Sequence, residues 1–334
     1  MNARQFDFYG VGIEVQSGSE EVLDAVGRDF SFFSSSGMDC AHRILVQLAA
    51  PNYPDLPAAR PLVYTPRNVS YRDGEMIHID YFGRALVSWQ PRANRYQVQA
   101  EDAGLAHEIV YLTMLSLVGE QLDRRGIHRV HALGVCYHGR ATIITLPPGG
   151  GKTTLLKALL ACPEIKLLSE DSPLVTRAGD VLAFPLRLGF VPGTEPDVPA
   201  QFVRRVERME FGPKVLVDIE YYRDRLANRA EPGVVFLGAR RLAAAPSVTP
   251  ASRGDALKNL SRHCVIGLGL YQGLEFAVQH GFSDLLKRGR IAWSRLRSSN
   301  ALARRSRLFH LKLGRDSEAN ARAVIECLAN TGRS

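Results

Sequence analysis

Several kinds of feature are scarce in this chain of 334 residues, and each absence excludes a class of protein. The longest apolar runs, such as Ile109 to Val118, are too short to cross a bilayer, and residues 1–10 contain no apolar core of a signal peptide. The five cysteines are scattered and form no C-x-x-C pair, so neither a zinc site nor a dithiol redox centre is indicated. We therefore expect a cytoplasmic globular protein with reduced cysteines and no membrane span.

Acidic residues are missing from one long stretch near the end of the chain. The formal net charge is +8, and residues 287–315 carry many Lys and Arg but no Asp or Glu. Such a stretch can bind nucleic acid, an acidic peptide or anionic lipid, and it can equally be a solvated basic face. Because no nucleic-acid-binding motif accompanies it, nucleic acid is not the partner that we expect. The sequence leaves open whether the protein forms a homo-oligomer.

The hydrophobic pattern changes along the chain and indicates two parts joined by a helix. Residues 1–102 contain short apolar or alternating runs separated by turn signals, which predict a β-rich α+β domain, with one helix capped by Ser19. Residues 103–126 have apolar residues at helical spacing that end at a glycine, which predicts a linking helix. Residues 127–330 form the second part, for which we predict an α/β fold with a mixed sheet and helices packed against it.

The stretch "TLPPGGGKTTLLKAL", Thr145 to Leu159, has the order strand, glycine loop and helix that a phosphate-binding loop requires. The glycines allow backbone N–H groups to face phosphates, the lysine can reach the β- and γ-phosphates, and the first threonine can bind Mg²⁺. Leu146 stands where the usual pattern has its first glycine, and the alternative is a glycine-rich turn with no ligand. The residues predicted to bind nucleotide are Gly149, Gly150, Gly151, Lys152, Thr153 and Thr154.

Two consecutive acids follow the next strand-like run. In "IKLLSEDSPLV", Glu170 and Asp171 come at the end of an apolar segment. Burying two carboxylates is costly, and a metal ion would offset that cost. In phosphate-loop proteins one acid can hold Mg²⁺ and a second can accept a proton from an attacking hydroxyl. The alternative is a surface turn with two solvated acids.

Residues 129–190 resemble a known family. The segments "VHALGVCYHGRATIITLPPGGGKTTLLKAL", "KLLSEDSPLV" and "AFPLRLGF" are similar to the kinase core of HPr kinase/phosphorylase and the HPr kinase-like proteins, which are related to phosphoenolpyruvate carboxykinase. The ending "LKLGRDSEANARAVIECL" is similar to the closing strand and helix of these proteins. The resemblance implies a P-loop kinase core that uses ATP and Mg²⁺. Residues 1–102 show no clear likeness to the regulatory domain of the bacterial HPr enzymes.

The resemblance also implies roles for single residues. His131 takes the place of the active-site histidine. Glu170 takes the place of the acid that removes the proton from the substrate serine, although it is one methylene longer than the family's Asp. Asp171 is then left to bind the metal with Thr153, and Lys152 to act on the phosphates.

Cationic side chains should complete a site of this kind, because the transferring phosphoryl group carries negative charge. The resemblance makes Arg187, Arg208 and Lys214 candidates for binding phosphate or substrate, and they can equally be surface charges.

Two functions follow as expectations. The first is an ATP- and Mg²⁺-dependent kinase that transfers the γ-phosphoryl group to a hydroxyl, above all a serine of a protein or peptide. Relatives found with peptide natural-product machinery phosphorylate a precursor peptide, and the basic stretch 287–315 would suit an acidic peptide. The alternative is a nucleotide-binding regulatory or interaction protein with little or no transfer.

Overall fold

The computed structural model describes residues 1–54, 56–206, 212–242, 245–265 and 282–332. Contacts divide the chain into two units. Unit 1 contains the described residues of 1–121 and 189–221, and unit 2 those of 122–188, 222–265 and 282–332. Segment 189–221 lies inside the range 127–330 of the sequence analysis, and the domain boundaries given there stay predictions.

The described residues form mainly strands, with a few α-helices between them. The strands are β1 (Asn2–Phe8), β2 (Val11–Ser17), β3 (Ser34–Ser35), β4 (His42–Leu48), β5 (Arg60–Tyr64), β6 (Val69–Asp73), β7 (Met76–Asp80), β8 (Ala85–Gln90), β9 (Arg95–Ala100), β10 (Ile127–Arg129), β11 (Leu133–Tyr137), β12 (Arg140–Thr145), β13 (Ile165–Ser169), β14 (Leu174–Thr176), β15 (Val181–Leu182), β16 (Leu188–Phe190), β17 (Val203–Val206), β18 (Lys214–Val217), β19 (Arg229–Arg240), β20 (Ser247–Pro250) and β21 (Arg307–Leu313). The α-helices are α1 (Glu20–Asp29), α2 (Ala103–Arg125), α3 (Lys152–Leu159), α4 (Arg253–Leu260), α5 (Phe282–Arg305) and α6 (Ser317–Gly332). The predicted mixed α/β architecture is confirmed at this level.

Unit 1 contains a nine-stranded sheet with the order β3-β1-β2-β4-β9-β8-β7-β6-β5. Helix α1 begins as predicted, because the Ser19 side chain accepts a hydrogen bond from the backbone N–H of Val22. A turn at Asp73 and Gly74 joins β6 to β7, and the glycine has a φ of 53°. The β-rich character predicted for this part of the chain is therefore confirmed.

A buried network of charges holds segment 189–221 within unit 1. The Arg204 guanidinium lies 2.5 Å from Asp29 and 2.7 Å from Asp218, and Arg28 lies 2.5 Å from Asp218. Both carboxylates are buried, and the pKa of Arg204 is raised because the two acids outweigh the effect of burial. Removing one member would leave buried charge without compensation, so the network fixes the segment in place.

Unit 2 contains a second sheet, with the order β10-β14-β15-β19-β12-β11-β13; β21 also pairs with β19, and β20 pairs with β21. Strands β12, β19 and β21 are parallel, whereas β11 is antiparallel to both β12 and β13. As a result β12, β13 and β19 end at the same edge of the sheet, and β11 begins there. Chain segments that are far apart in sequence therefore meet at this edge.

Local sequence explains how several elements end. His138 and Gly139, with φ angles of 47° and 77°, form the two-residue turn between β11 and β12, at the opposite edge of the sheet. Helix α2 ends at Arg125 as predicted, and Gly126 follows it with a φ of 76°. No helix in the described ranges is both long and apolar enough to span a membrane.

Candidate functional site

The loop between β12 and α3 has a backbone that needs its three glycines. Gly149 and Gly151 have φ angles of 70° and 92°, a region that side chains with a Cβ rarely occupy. The Gly150 N–H donates to the Pro147 carbonyl at 2.9 Å, and a Cβ on Gly150 would lie 2.8 Å from that oxygen. The loop therefore forms a tight turn that leads into the N-terminus of α3.

Leu146, the departure from the usual pattern, is a core residue. It is fully buried, and it packs over Gly238 on the neighbouring strand β19. A Cβ on Gly238 would lie 2.7 Å from Leu146 Cδ2 and 2.3 Å from the carbonyl oxygen of Thr145. The missing glycine at 146 is thus matched by a glycine on the adjacent strand, and the leucine side chain points into the core.

Lys152 begins α3 and is buried, and its amine is held by two side chains. Nζ lies 2.6 Å from His131 Nε2 and 3.1 Å from Asp171 Oδ1. Because an ammonium group only donates, we assign His131 Nε2 as the acceptor and place the ring proton on Nδ1, which lies 3.4 Å from Asp171 Oδ1. A buried lysine that is paired with a carboxylate can keep its charge.

Thr153 follows on the helix and contacts the other acid. Its hydroxyl donates to a carboxylate oxygen of Glu170. Both acids come directly after β13, and the Ala132 N–H donates to the Asp171 carbonyl at 3.1 Å, which ties the start of β11 to the acid pair. The structure therefore brings the first two residues of α3 together with both acids.

His263 belongs to the same cluster but was not singled out in the sequence. It lies in a π-helical turn, Ser261–Val265, that follows α4. Its ring stacks on that of His131 with a centroid distance of 5.8 Å, and its carbonyl accepts the His131 N–H at 3.0 Å. Burial, followed by the nearby His131 and Lys152, lowers the pKa of His263 to about 4. The imidazole is therefore neutral near pH 7. In the sequence, His263 lies within a helix-forming segment, and nothing near it indicates that it belongs to the site.

Arg240 is a second residue that sequence reasoning missed. It is the last residue of β19, it is exposed, and its Nη1 lies 4.0 Å from the position of a Cβ on Gly151. A guanidinium group at this distance from the glycine loop could contact an anion if one were bound there. The sequence shows only an arginine at the end of an apolar strand. That this arginine lies near the glycine loop depends on the pairing of β19 with β12.

Three of the remaining predicted residues have a position in the structure, and the fourth lies outside the described ranges. Thr154 is exposed on α3. Arg187 is half-buried in unit 2, whereas Lys214 begins β18 in unit 1 and would lie 3.1 Å from a Cβ on Gly189. Arg208 lies outside the described residues. The phosphate-binding role of these three cations stays a prediction.

A magnesium ion fits the site only together with other ligands. Within the ranges that the structure describes, no group of three or more His, Cys, Asp or Glu side chains could hold a metal ion. Thr153 and Glu170 place a hydroxyl and a carboxylate side by side, which are oxygen ligands that Mg²⁺ accepts. Magnesium in phosphate-loop proteins takes few protein ligands and completes its shell with phosphate oxygens and water, so the donor set fits.

Comparison with known proteins finds a distant likeness in structure. No family model matches the chain, and no curated protein matches it. A solved structure to which it is similar is the Hpr(Ser) kinase/phosphatase from Coxiella burnetii, with a TM-score of 0.24 and 10% sequence identity, over 61% of this chain and 95% of that one. Because the two structures differ this much, we base the function on the geometry of the site alone.

Proposed function

We propose that this protein is an ATP- and Mg²⁺-dependent phosphotransferase that moves the γ-phosphoryl group to a hydroxyl, above all a serine of a protein or peptide. One observation carries the proposal: Lys152 and Thr153, the first residues after the glycine loop, each contact one of two consecutive carboxylates. A glycine-rich turn without a ligand would not need a buried lysine, whose charge is costly to desolvate. Phosphoryl transfer needs both positive charge at the phosphates and acids beside them.

Different groups of the chain would bind the nucleotide phosphates and the magnesium ion. Backbone N–H groups of the glycine loop and the Lys152 ammonium would hold the nucleotide phosphates, and Arg240 would add charge at the same place. Thr153 and Glu170 would hold the magnesium ion. When bound, MgATP supplies the phosphoryl group and the metal neutralises charge on it.

The geometry favours an exchange of the two acid roles that the family resemblance implies. Glu170 is engaged with Thr153, on the side where a metal would bind. Asp171 lies beside Lys152 and His131 and its side chain is 44% exposed, so an acceptor hydroxyl can approach it from solvent. We therefore assign Asp171 as the proton acceptor, with His131 positioning it, and Glu170 as the acid that binds the metal.

The second candidate is a nucleotide-binding regulatory protein, and one observation favours it. Lys152 and Asp171 neutralise each other at 3.1 Å. In a protein that only binds nucleotide, a bound phosphate would replace Asp171 as the partner of Lys152 and so change the conformation of the site, with no transfer to an acceptor. The two candidates share the phosphate site and differ in what happens after binding.

Lys152→Ala tests the site that both candidates need. We expect MgATP affinity, measured by titration calorimetry on the full chain, to fall at least about 10-fold, because a charge-assisted hydrogen bond contributes roughly 1.5–3 kcal/mol. Lys157→Ala, an exposed lysine on the same helix, is the matched control and should bind like wild type. Equal affinity of wild type and Lys152→Ala would refute the phosphate loop.

Transfer is then measured with γ-labelled ATP and serine-containing acceptor peptides. Label on an acceptor supports the kinase. Nucleotide binding that depends on Lys152, without label on any acceptor, supports the regulatory protein.

A further inference from the structure

One face of helix α5 carries an exposed tryptophan between arginines. Arg290, Trp293, Arg297 and Arg304 are exposed, and at 100° per residue they fall within a sector of about 60° of the helix. Trp293 is 69% exposed. A tryptophan buries roughly 150–250 Å² when it is covered, so leaving it in water forgoes a large stabilisation.

The opposite face of α5 explains why this tryptophan is not needed in the core. That face buries Arg295, Ser298, Ser299 and Leu302. Arg295 is held at 2.5 Å by Asp123, which is itself buried. The helix thus buries polar side chains together with Leu302 and Ala303, while Trp293, its one exposed large apolar side chain among residues 289–305, points outward.

Among the described residues, the arginines of this face form no ion pair with another side chain. Elsewhere on the helix, Arg295 pairs with Asp123 and Arg305 pairs with Asp180. Across the described parts of the chain, no carboxylate lies within ion-pair distance of Arg290, Arg297 or Arg304. The face therefore presents three available guanidinium groups around one aromatic ring.

We propose that this α5 face, defined by Arg290, Trp293, Arg297 and Arg304, is a docking site for an acidic peptide segment that carries one apolar side chain. Its arginines span fifteen residues, or about 21 Å of helix, which matches about six residues of extended peptide. Guanidinium groups bind carboxylates with two hydrogen bonds, and an aromatic ring at the centre supplies the apolar anchor. The site binds such a segment whether or not the phosphate loop transfers phosphate.

Two other polyanionic partners fit the face less well. A helix that lies in a membrane surface needs an apolar face of several residues, and this face has one. Proteins that bind single-stranded nucleic acid stack successive bases on several aromatic rings in a groove, and Trp293 stands alone on a convex helix. An acidic peptide with a single apolar side chain matches this face, because its carboxylates can pair with the arginines and its apolar side chain can pack on the tryptophan.

The experiment measures binding of a fluorescein-labelled hexapeptide, Glu-Asp-Leu-Glu-Asp-Glu, to the full-length protein by anisotropy. Tryptophan fluorescence of the protein is a second readout. The chain has two tryptophans, and Trp89 is buried whereas Trp293 is exposed. We expect Trp293→Ala to weaken binding about 10- to 30-fold and Arg297→Glu about 10-fold, with further weakening as salt is raised. Arg60→Glu on β5 makes the same change of net charge and should bind like wild type.

The same variants decide between the proposal and its rivals. No saturable binding of the acidic hexapeptide, or equal binding of its Gln/Asn counterpart, would overturn the proposal. Binding that is unchanged in both Trp293→Ala and Arg297→Glu would also overturn it. Tighter binding of oligo-uridine or of phosphatidylserine vesicles, with loss in Trp293→Ala, would reassign the face to nucleic acid or membrane.

Discussion

Substituting the two acids one at a time separates their roles. Glu170→Gln keeps the size of the side chain but removes the charge beside the Thr153 hydroxyl. Asp171→Asn removes the charge beside Lys152 and His131. The amide replacements leave the packing nearly unchanged, so changes in kinetics report the chemistry of the carboxylates.

The magnitudes follow from what each carboxylate contacts. A positioned general base contributes about 10²- to 10⁴-fold to turnover, which corresponds to roughly 3–5 kcal/mol. Asp171→Asn should therefore lower kcat by that factor. It should leave MgATP affinity equal or slightly higher, because Lys152 loses a competing partner at 3.1 Å. Glu170→Gln should weaken Mg²⁺-dependent nucleotide binding and lower turnover at fixed Mg²⁺, and excess Mg²⁺ should restore part of both.

The assay is single-turnover transfer from labelled ATP across a range of Mg²⁺ concentrations, with nucleotide affinity measured in parallel. If Glu170→Gln lowers kcat at saturating Mg²⁺ while Asp171→Asn affects metal-dependent binding, the roles are those that the family resemblance implies, and our reading of the geometry is wrong. If neither variant loses transfer, the acid pair takes no part in the chemistry.

Three further substitutions test the surroundings of the site. Gly238→Ala should destabilise the fold by about 1–3 kcal/mol in urea unfolding, because its Cβ would overlap the carbonyl of Thr145, whereas Gly289→Ala, with open space in α5, should be neutral or stabilising. Arg295→Ala should cost about 3–5 kcal/mol of unfolding free energy, since it leaves a buried carboxylate without its cation, and a loss below 1 kcal/mol would contradict this. Folding lowers the pKa of His263 from 6.5 to about 4, so between these pH values the unfolded chain binds a proton that the folded chain does not. The free energy of unfolding of the wild type should therefore fall as the pH drops through this window, by about 1–2 kcal/mol after allowance for partial exposure. His263→Gln should make the unfolding free energy less dependent on pH in the same window. Parallel profiles for wild type and variant would show that His263 is not responsible.

Local chemistry made most of the secondary structure predictable. A Ser19 cap, a glycine after α2 and a two-residue turn with positive φ angles are each decided by residues next to one another in sequence, and the structure has all three. The glycine loop before Lys152 follows for the same reason, because its backbone angles require glycine whatever surrounds it.

The pair Leu146 and Gly238 shows what local chemistry leaves undetermined. Read alone, Leu146 breaks the phosphate-loop pattern, and Gly238 is one glycine in a strand. Only the pairing of β12 with β19 shows that the leucine fills the space that the glycine leaves. A departure from a motif can thus be compensated by a residue about ninety positions away, and a pattern search along the sequence does not detect the compensation.

The order of strands also decides which charged groups meet at the glycine loop. Because β11 runs against both of its neighbours, it begins at the edge where β13 ends, and His131 comes to lie beside Asp171. Because β19 runs parallel to β12, Arg240 lies beside the glycine loop. In the sequence, His131 and Arg240 are basic or ionisable residues near apolar strands, and their immediate neighbours do not show that they meet. Strand direction, set by pairing across the sheet, therefore determines which of these charged residues come together at the glycine loop.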